Sequence, residues 1–296
     1  MLDGDRNLEV LLQDVTGVVD CGVSSFWCSQ IFGFDAVSLM ALLGRETSRI
    51  ELGTAVVPVY GRHPLVLAMQ ARTAQAASGG RFALGVGLSH QLMVEGVYGL
   101  SYEHPAAYMR EYLSALVPAL SGEQVNFQGE RVSANMLGPL QPAGVEPVGV
   151  VVAALGSAML KVAGELASGT ITWMTGVRTI GSHIVPGIRR AAEDAGRGEP
   201  RIVAGLPVCV TQDVASAREK ASRIYAIYGS LPSYRAMLDR EGAGGPADVA
   251  VAGSEEEVEA ALLALADAGA TDFMGAPFGT KEERARTIET LGRLNG

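Results

Sequence analysis

The chain has 296 residues, of which 48% are hydrophobic and 19% charged, a composition typical of a globular protein with a large core. Its formal net charge of −9, without a lysine or arginine cluster, argues against nucleic acid and anionic membranes as partners and favours a small-molecule substrate. Three scattered cysteines, no signal pattern and no apolar run of about 18 residues predict a cytoplasmic protein with reduced thiols. We expect one domain over residues 1–296, since α/β barrels reach this length as one unit.

The first ninety residues alternate between helix and strand patterns. Apolar residues recur at helical spacing from Leu8, and Gly22 can end the helix predicted over 8–22. The alternation continues with strands predicted over 23–30, 49–58 and 82–87 and helices over 35–47 and 63–78. After residue 90 it breaks into a loop, a helix near 104–121 and two strand-like pieces around "QVNFQGERV". We interpret this stretch as an insertion, placed where ligands usually lie.

The second half of the chain resumes the same alternation. A capping box is predicted at the start of one of its helices, because Glu257 follows Ser254 by three residues. The predicted strands cover 147–156, 170–176, 201–211 and 271–279, and the predicted helices cover 157–169, 181–196, 214–240, 254–270 and 281–294.

These seven strands predict an α/β fold, and two architectures fit the alternation. One is a (β/α)₈-like barrel whose first strand is short or missing, with the insertion after the third recognised strand. The other is a doubly wound parallel sheet. For the barrel, either the stub "MLDGDRN" completes the ring or the ring is open there.

The stretch "GRFALGVGLSHQ" carries the first candidate site residues. Its apolar run is typical of a parallel strand covered on both faces. Gly85 and Gly87 at its exit would let something lie against the backbone, and Ser89 and His90 follow them. Whether His90 is a functional group or a loop histidine bonded to backbone is left open by the residues alone.

The turn in "AALGSAMLKVAG" is the second candidate, because a strand ends at Gly156 and a helix begins at Ser157. Free backbone N–H groups and the positive helix end make such a turn either a phosphate site or an ordinary capped helix start. Arg178 is either a surface charge or a phosphate clamp. Structural roles are expected for five further aromatic or imidazole side chains, namely His63, His104, His183, Trp27 and Trp173.

The strand exits of a barrel form its functional face, and here they are poor in acidic residues. Paired carboxylates, metal-ligand spacings and a Ser-His-Asp set are absent from the sequence pattern, so hydrolysis and metal chemistry are disfavoured, and we predict no metal site. A lining of small, apolar and hydroxyl side chains suits a flat aromatic cofactor that brings its own reactivity.

Two long stretches resemble the bacterial luciferase-like superfamily, and in particular its F420-dependent reductases similar to methylenetetrahydromethanopterin reductase. They are "LGTAVVPVYGRHPLVLAMQARTAQAASGGRFALGVGLSHQ" and "ALGSAMLKVAGELASGTITWMTG". The resemblance implies a barrel, a homodimer, and a deazaflavin ring at the mouth backed by a non-prolyl cis peptide, here Ala55–Val56. It places His90 where several relatives have a catalytic glutamate. The expected cofactor contacts are Gln30, Ala55, Val56, Gly87, Leu88, Ser89, Gly156, Ser157, Ala158, Thr175 and Gly176.

The resemblance implies F420-dependent hydride transfer between the deazaflavin C5 and an electron-poor C=C or C=N bond, with His90 as proton donor. Some relatives carry Asp-His at the end of the second strand, where this chain has Gln30-Ile31, so oxidation of sugar phosphates and secondary alcohols is not expected. The alternatives are an FMN-dependent monooxygenase and a cofactor-binding protein without turnover, the latter suggested by the incomplete first strand.

Overall fold

The computed structural model describes residues 7–140 and 144–295. No helix within these ranges combines the length and the apolarity needed to cross a membrane. The helices are α1 Leu8–Asp20, α2 Ala36–Glu46, α3 Pro64–Ser78, α4 Gln91–Gly96, α5 Pro105–Leu120, α6 Ser157–Leu166, α7 Val177–Thr179, α8 Val185–Asp194, α9 Val214–Ile224, α10 Pro232–Glu241, α11 Pro246–Val249, α12 Glu255–Asp267 and α13 Lys281–Arg293. The strands are β1 Ser25–Cys28, β2 Glu51–Thr54, β3 Val57–Pro58, β4 Phe82–Gly87, β5 Asn126–Gln128, β6 Ser133–Asn135, β7 Gly149–Ala153, β8 Gly169–Trp173, β9 Arg201–Val210, β10 Val251–Gly253 and β11 Asp272–Pro277.

The main sheet is parallel and follows the order of the chain. Pairing runs β1–β2–β4–β7–β8–β9, and β11 also pairs with β9. A doubly wound sheet reverses its strand order in the middle, and this sheet does not. The predicted α/β barrel is therefore confirmed and the doubly wound alternative is wrong.

The ring is nearly closed, with its opening between β11 and β1. No strand of the described residues joins these two, which is where the sequence predicts a missing first strand. The stub "MLDGDRN" lies outside the described residues except for Asn7, whose side chain accepts a hydrogen bond from the Val10 amide at 2.9 Å and caps α1. All six residues of β4 are buried, whereas all six of β11 are partly exposed. The strand beside the opening is therefore less covered than a strand on the closed side of the ring.

Four elements differ from the prediction, and the first is the strand predicted over 49–58, which is divided into β2 and β3. The helix predicted over 214–240 is divided into α9 and α10, because Leu231 precedes a proline and takes an extended conformation. The predicted loop after residue 90 contains the short helix α4, and the three-residue strand β10 was not predicted. The insertion forms the antiparallel pair β5–β6, and the capping box of Ser254 and Glu257 is confirmed.

The barrel interior is filled by apolar side chains from several strands. Val151, Ile171 and Val203 are buried there, and Trp27 packs against them. A Cβ atom on Gly53 would lie 2.3 Å from the Trp27 ring, so a glycine is needed beside it. The indole therefore belongs to the core, as the sequence predicts.

An ion network closes the interior at the amino-terminal ends of the strands. Arg201 donates to both carboxylate oxygens of Glu51, at 2.7 and 2.6 Å, and from Nε to Asp272 at 3.0 Å. The hydrogen bonds from Glu51 raise the pKa of Arg201 further above its ordinary value, although burial opposes them. Burial alone would raise the pKa of Asp272, but hydrogen bonds from Arg201 and Thr271 outweigh it and lower that pKa. The network thus ties β2 to β9 and β11.

Candidate functional site

The exit of the second barrel strand carries the predicted cis peptide. The Ala55–Val56 bond is cis, and it separates β2 from β3. The glycines of β4 make room for this segment: a Cβ atom on Gly85 would lie 1.8 Å from the Thr54 carbonyl oxygen, and one on Gly87 would lie 2.6 Å from Val56 Cγ2. Both glycines are thus explained by the close approach of the neighbouring backbone and side chain.

Ser89 and His90 follow β4 at the mouth of the barrel. Ser89 has a left-handed backbone, with φ of 60°, which is unusual for a residue other than glycine. The His90 side chain is half-buried and makes no hydrogen bond to the described residues, and its ring centroid lies 5.7 Å from that of Tyr234. Burial lowers the pKa of His90, so the neutral imidazole predominates at pH 7.

An aromatic wall, formed by Trp173, Tyr225, Tyr228 and Tyr234, extends from His90 across the mouth. Tyr234 meets Tyr228 edge to face at 5.0 Å, and Tyr228 meets Trp173 in the same way at 5.9 Å. Tyr225 lies 6.0 Å from Trp173, and burial raises its pKa to about 12. The three tyrosines were not singled out from the sequence, although their spacing of three and six residues within one predicted helix was a usable signal.

The amino-terminal end of α6 is open to solvent. Gly156, Ser157 and Ala158 are all exposed, and no side chain caps the helix. The Gly156 backbone is extended, with φ of −81°, and no atom lies within 4 Å of where a Cβ would be. His183 donates from Nε2 to the Leu155 carbonyl oxygen at 2.8 Å and so holds the turn from the neighbouring helix segment. His63 likewise contacts backbone, at the Ser133 carbonyl oxygen, as expected for structural histidines.

The amino-terminal end of α7 is occupied by the protein's own carboxylate. Glu241, the last residue of α10, accepts hydrogen bonds from the amides of Arg178 at 3.0 Å and Thr179 at 2.7 Å. A Cβ atom on Gly176 would lie 2.4 Å from this carboxyl group. Thr175 is fully buried and donates to the Trp173 carbonyl oxygen. Of the two predicted phosphate-side turns, only the one at α6 therefore has amide groups free of a capping side chain.

Gln30 is engaged within the fold. Its Oε1 accepts from the Ala36 amide at 2.8 Å and from Arg62 at 3.4 Å, and it thereby helps to start α2. Leu88 is half-buried between Gly87 and Ser89. A direct role of Gln30 and Leu88 in holding a cofactor stays a prediction. In the described ranges, no group of three or more His, Cys, Asp or Glu residues is arranged to hold a metal ion.

Three proteins from mycobacteria and archaea are similar to this chain in sequence. An uncharacterised protein of Mycobacterium tuberculosis is 29% identical over 218 residues, which make up 69% of this chain and 64% of the relative. The chain thus spans under two thirds of the length of that relative. A putative coenzyme F420-dependent oxidoreductase of Mycobacterium tuberculosis is 27% identical over 72% of this chain and 66% of its own length. The 5,10-methylenetetrahydromethanopterin reductase of Methanolobus tindarius is 25% identical over 92% of this chain and 91% of its own length.

Solved structures share the fold. The coenzyme F420-dependent tetrahydromethanopterin reductase of Methanopyrus kandleri has a TM-score of 0.82 at 22% identity, covering 98% of this chain and 95% of that one. The oxygenating constituent of 3,6-diketocamphane monooxygenase of Pseudomonas putida, solved with FMN, has a TM-score of 0.77 at 15% identity, covering 99% and 94%. The family model for luciferase-like monooxygenases matches residues 20–294. The chain therefore belongs to the luciferase-like monooxygenase family.

Proposed function

We propose that the chain is an F420-dependent reductase acting on an electron-poor C=C or C=N bond of a small organic substrate. Two relatives support the cofactor and the reaction class: the putative F420-dependent oxidoreductase of Mycobacterium tuberculosis and the methylenetetrahydromethanopterin reductase of Methanolobus tindarius. Within the chain itself, the uncapped turn at Gly156 is the observation that carries the proposal.

The Gly156 turn fits a cofactor phosphate. Its backbone conformation is one that any residue adopts, and its Cβ position is empty, so folding places no demand for glycine there. The missing side chain leaves the backbone open to a group that approaches from outside. The first amides of α6 and the positive end of the helix favour an anion at this point. The phosphate of F420 would bind to the amides of Ser157 and Ala158.

The remaining mouth fits a flat ring. Ala55 and Val56 are half-buried at the exit of β2, and Val56 packs toward the Cα of Gly87. This small, apolar surface would support one face of a deazaflavin. When bound in its reduced form, F420 supplies a hydride from C5. The protein's part is to hold ring and substrate in contact and to exclude water from between them.

His90 is the proposed proton donor. It is half-buried, its ring nitrogens make no hydrogen bond to the described residues, and the Tyr234 ring lies beside it. Its lowered pKa makes the protonated form a stronger acid than free imidazole, although a less populated one. His90 would deliver its proton to the substrate atom next to the carbon that receives the hydride.

Cofactor titrations test this proposal. Purified protein is titrated with F420 and with FMN, and binding is followed by tryptophan quenching, because Trp173 lies in the aromatic wall. We expect F420 to bind and reduced F420 to be consumed with at least one member of a panel of enones and imines. Submicromolar FMN binding without F420 binding would instead support a monooxygenase. F420 binding without turnover on the whole panel would support a cofactor-binding protein.

A further inference from the structure

Helix α10 crosses the mouth of the barrel between two strand exits. Tyr234 in its first turn lies beside His90, which follows β4, with 5.7 Å between the ring centroids. Glu241 at its last position accepts hydrogen bonds from the amides of Arg178 and Thr179, which follow β8. Tyr234 and Glu241 are two helical turns apart, so they lie on the same face of α10, about 10 Å apart along its axis. This face of α10 therefore connects the start of α7 with the side chain of His90.

Glu241 provides most of the polar attachment of α10. Within the described residues, hydrogen bonds from α10 to elements outside the segment 231–244 end only at Arg178 and Thr179, and Glu241 accepts two of these three bonds. The third bond joins the Thr179 hydroxyl to the Met237 carbonyl oxygen at 3.4 Å, which is long for a hydrogen bond. The helical stretch that begins with α7 continues through a π-helical segment into α8, so the carboxylate also meets the positive end of a long helix.

The surroundings of His90 are uncharged. Burial lowers the pKa of His90, and no charged side chain of the described residues contributes to this shift. The titratable side chains close to it are Tyr234 on α10, Tyr102, whose hydroxyl donates to the Ser89 carbonyl oxygen, and Glu95 on its own helix α4. The burial of the imidazole, rather than a charged partner, is therefore the property that a neighbouring element can change.

We propose that Glu241 is a positioning residue for His90: its bonds to the start of α7 hold α10 in place, so that Tyr234 covers the imidazole. Glu241 acts through α10 and does not touch the reacting atoms. The covered imidazolium is a stronger acid than a solvated one, which suits a proton donor. The covering of His90 stands on these contacts alone, whereas its consequence for proton donation rests on the proposed function.

The sign of the change in the His90 pKa separates positioning from a long-range charge effect. A carboxylate that acted through its charge would stabilise the imidazolium, so its removal would lower the pKa of His90. A carboxylate that holds α10 keeps His90 buried, so its removal would raise the pKa towards the free value of about 6.5.

The pKa of His90 is measured by NMR titration of the imidazole signals, on the full chain without cofactor. The chain has four histidines, and the signal that is missing from His90→Gln identifies His90. We expect Glu241→Ala to raise the pKa by about 0.3 or more, because the imidazole becomes more solvated. Glu241→Gln keeps an acceptor oxygen for the α7 amides and should stay closer to the parent. An unchanged or lowered pKa in Glu241→Ala would overturn the proposal.

A matched control removes a carboxylate that has no contact with α7. Glu193→Ala eliminates an exposed carboxylate from α8 and should change the pKa of His90 by less than about 0.1. A rise equal to that of Glu241→Ala would mean that the position of the carboxylate is irrelevant, and would also overturn the proposal. Circular dichroism and melting temperature confirm that each variant is folded.

Variants of Tyr234 test the route from Glu241 to His90. Tyr234→Phe keeps the ring and should keep the pKa of His90, whereas Tyr234→Ala should raise it. Adding Glu241→Ala to Tyr234→Ala should raise the pKa little further, because both changes remove the same cover. Fully additive shifts would show that Glu241 acts by a route other than Tyr234 and would contradict the proposal.

These outcomes are separate from those of the cofactor titrations. The NMR titration needs no F420, so a chain that fails to bind F420 can still show the raised pKa and keep the positioning role of Glu241. A chain that binds F420 and oxidises its reduced form, but whose His90 pKa does not rise in Glu241→Ala, would keep its proposed function and lose this role.

Discussion

The two ends of the barrel differ in how completely their polar groups are paired. At the amino-terminal end, Arg201 is held by Glu51 and Asp272 at once. At the carboxyl-terminal end, His90 makes no side-chain hydrogen bond to the described residues, α6 has no capping side chain, and Ser89 has a left-handed backbone. The comparison indicates that one end is built for stability and the other for ligands, as in barrels generally.

The largest effect on stability is expected at the amino-terminal end of the strands, where Arg201 pairs with two carboxylates. Arg201→Met leaves Glu51 and Asp272 without their cation and should lower the free energy of unfolding by about 2–3 kcal/mol, less than for a fully buried pair because the network is partly exposed. Urea unfolding measures this change, and F420 affinity should stay as in the parent. Arg190→Met, which removes an exposed 3.9 Å ion pair with Asp194, is the control and should change stability by under about 0.5 kcal/mol. Equal free energies of unfolding for the two variants would show that the Arg201 network stabilises the fold no more than an exposed ion pair does.

The same network should also make the free energy of unfolding depend on pH in the acid range. Because the folded-state pKa of Asp272 is lowered, its contribution is complete above its unfolded pKa of about 3.9 and is lost as pH falls through the folded value. Unfolding free energies measured from pH 6 to pH 2 should therefore fall more steeply in the parent than in Arg201→Met. Parallel curves would show that Arg201 does not set the Asp272 pKa.

The largest effect on turnover is expected at the carboxyl-terminal end of the strands, where His90 lies. His90→Gln should bind F420 nearly as the parent does and lose about 100-fold in kcat, the scale of one general acid. Since burial lowers the pKa of His90, parental kcat should rise as pH falls below about 6.5, and the variant should lack this rise. Parental turnover with an unchanged pH profile would show that His90 is a loop residue without a part in proton transfer.

An effect on affinity alone is expected at α6. Gly156→Val fills a Cβ position with no atom within 4 Å, so the fold should persist while F420 binding weakens about 10-fold or more by blocked approach to the amides. Gly198→Val is the matched control, since its Cβ position is also empty and it lies in the segment before β9, away from the mouth. Equal F420 affinities in fluorescence titrations of both variants would exclude the α6 turn as the phosphate site.

The smallest effect concerns the backbone of Ser89. Ser89→Gly should raise the free energy of unfolding by about 0.5 kcal/mol, because glycine adopts φ near 60° without steric cost. It should also lower kcat, though less than His90→Gln does, because the residue before His90 becomes less constrained. A destabilised Ser89→Gly variant would mean that the serine hydroxyl matters more than the backbone.

Much of the fold follows from local patterns in the sequence. The apolar run of β4 and the periodic helices α2 and α3 predict buried neighbours, and the seven strands were found within a few residues of their bounds. The cis peptide at Ala55–Val56 was implied only by the family resemblance, and the division of the strand predicted over 49–58 into β2 and β3 was not predicted. The splitting of the long helix at Pro232 was a readable signal, since the residue before a proline disfavours helix.

The arrangement of the site was predicted less completely, because its contacts join residues far apart in the chain. Glu241 reaches Thr179 across 62 positions, and Arg201 reaches Glu51 across 150. No local pattern announces either pairing. The pKa of His90 has the same limit: its residue type predicts titration near neutrality, whereas burial at the mouth lowers its pKa. The residues alone left open whether a side chain caps the start of α6, and the capping of α7 by Glu241 was not predicted.

A crystal structure of the complex with F420 tests the central claim most directly. We expect phosphate oxygens within hydrogen-bond distance of the amides of Ser157 and Ala158, with the deazaflavin ring against Ala55–Val56 and its C5 facing His90. Glu241 should keep its hydrogen bonds to the amides of Arg178 and Thr179. A phosphate that displaces Glu241 from α7, or a ring bound away from Ala55–Val56, would contradict the assignment of the α6 turn and the Ala55–Val56 surface as the cofactor site.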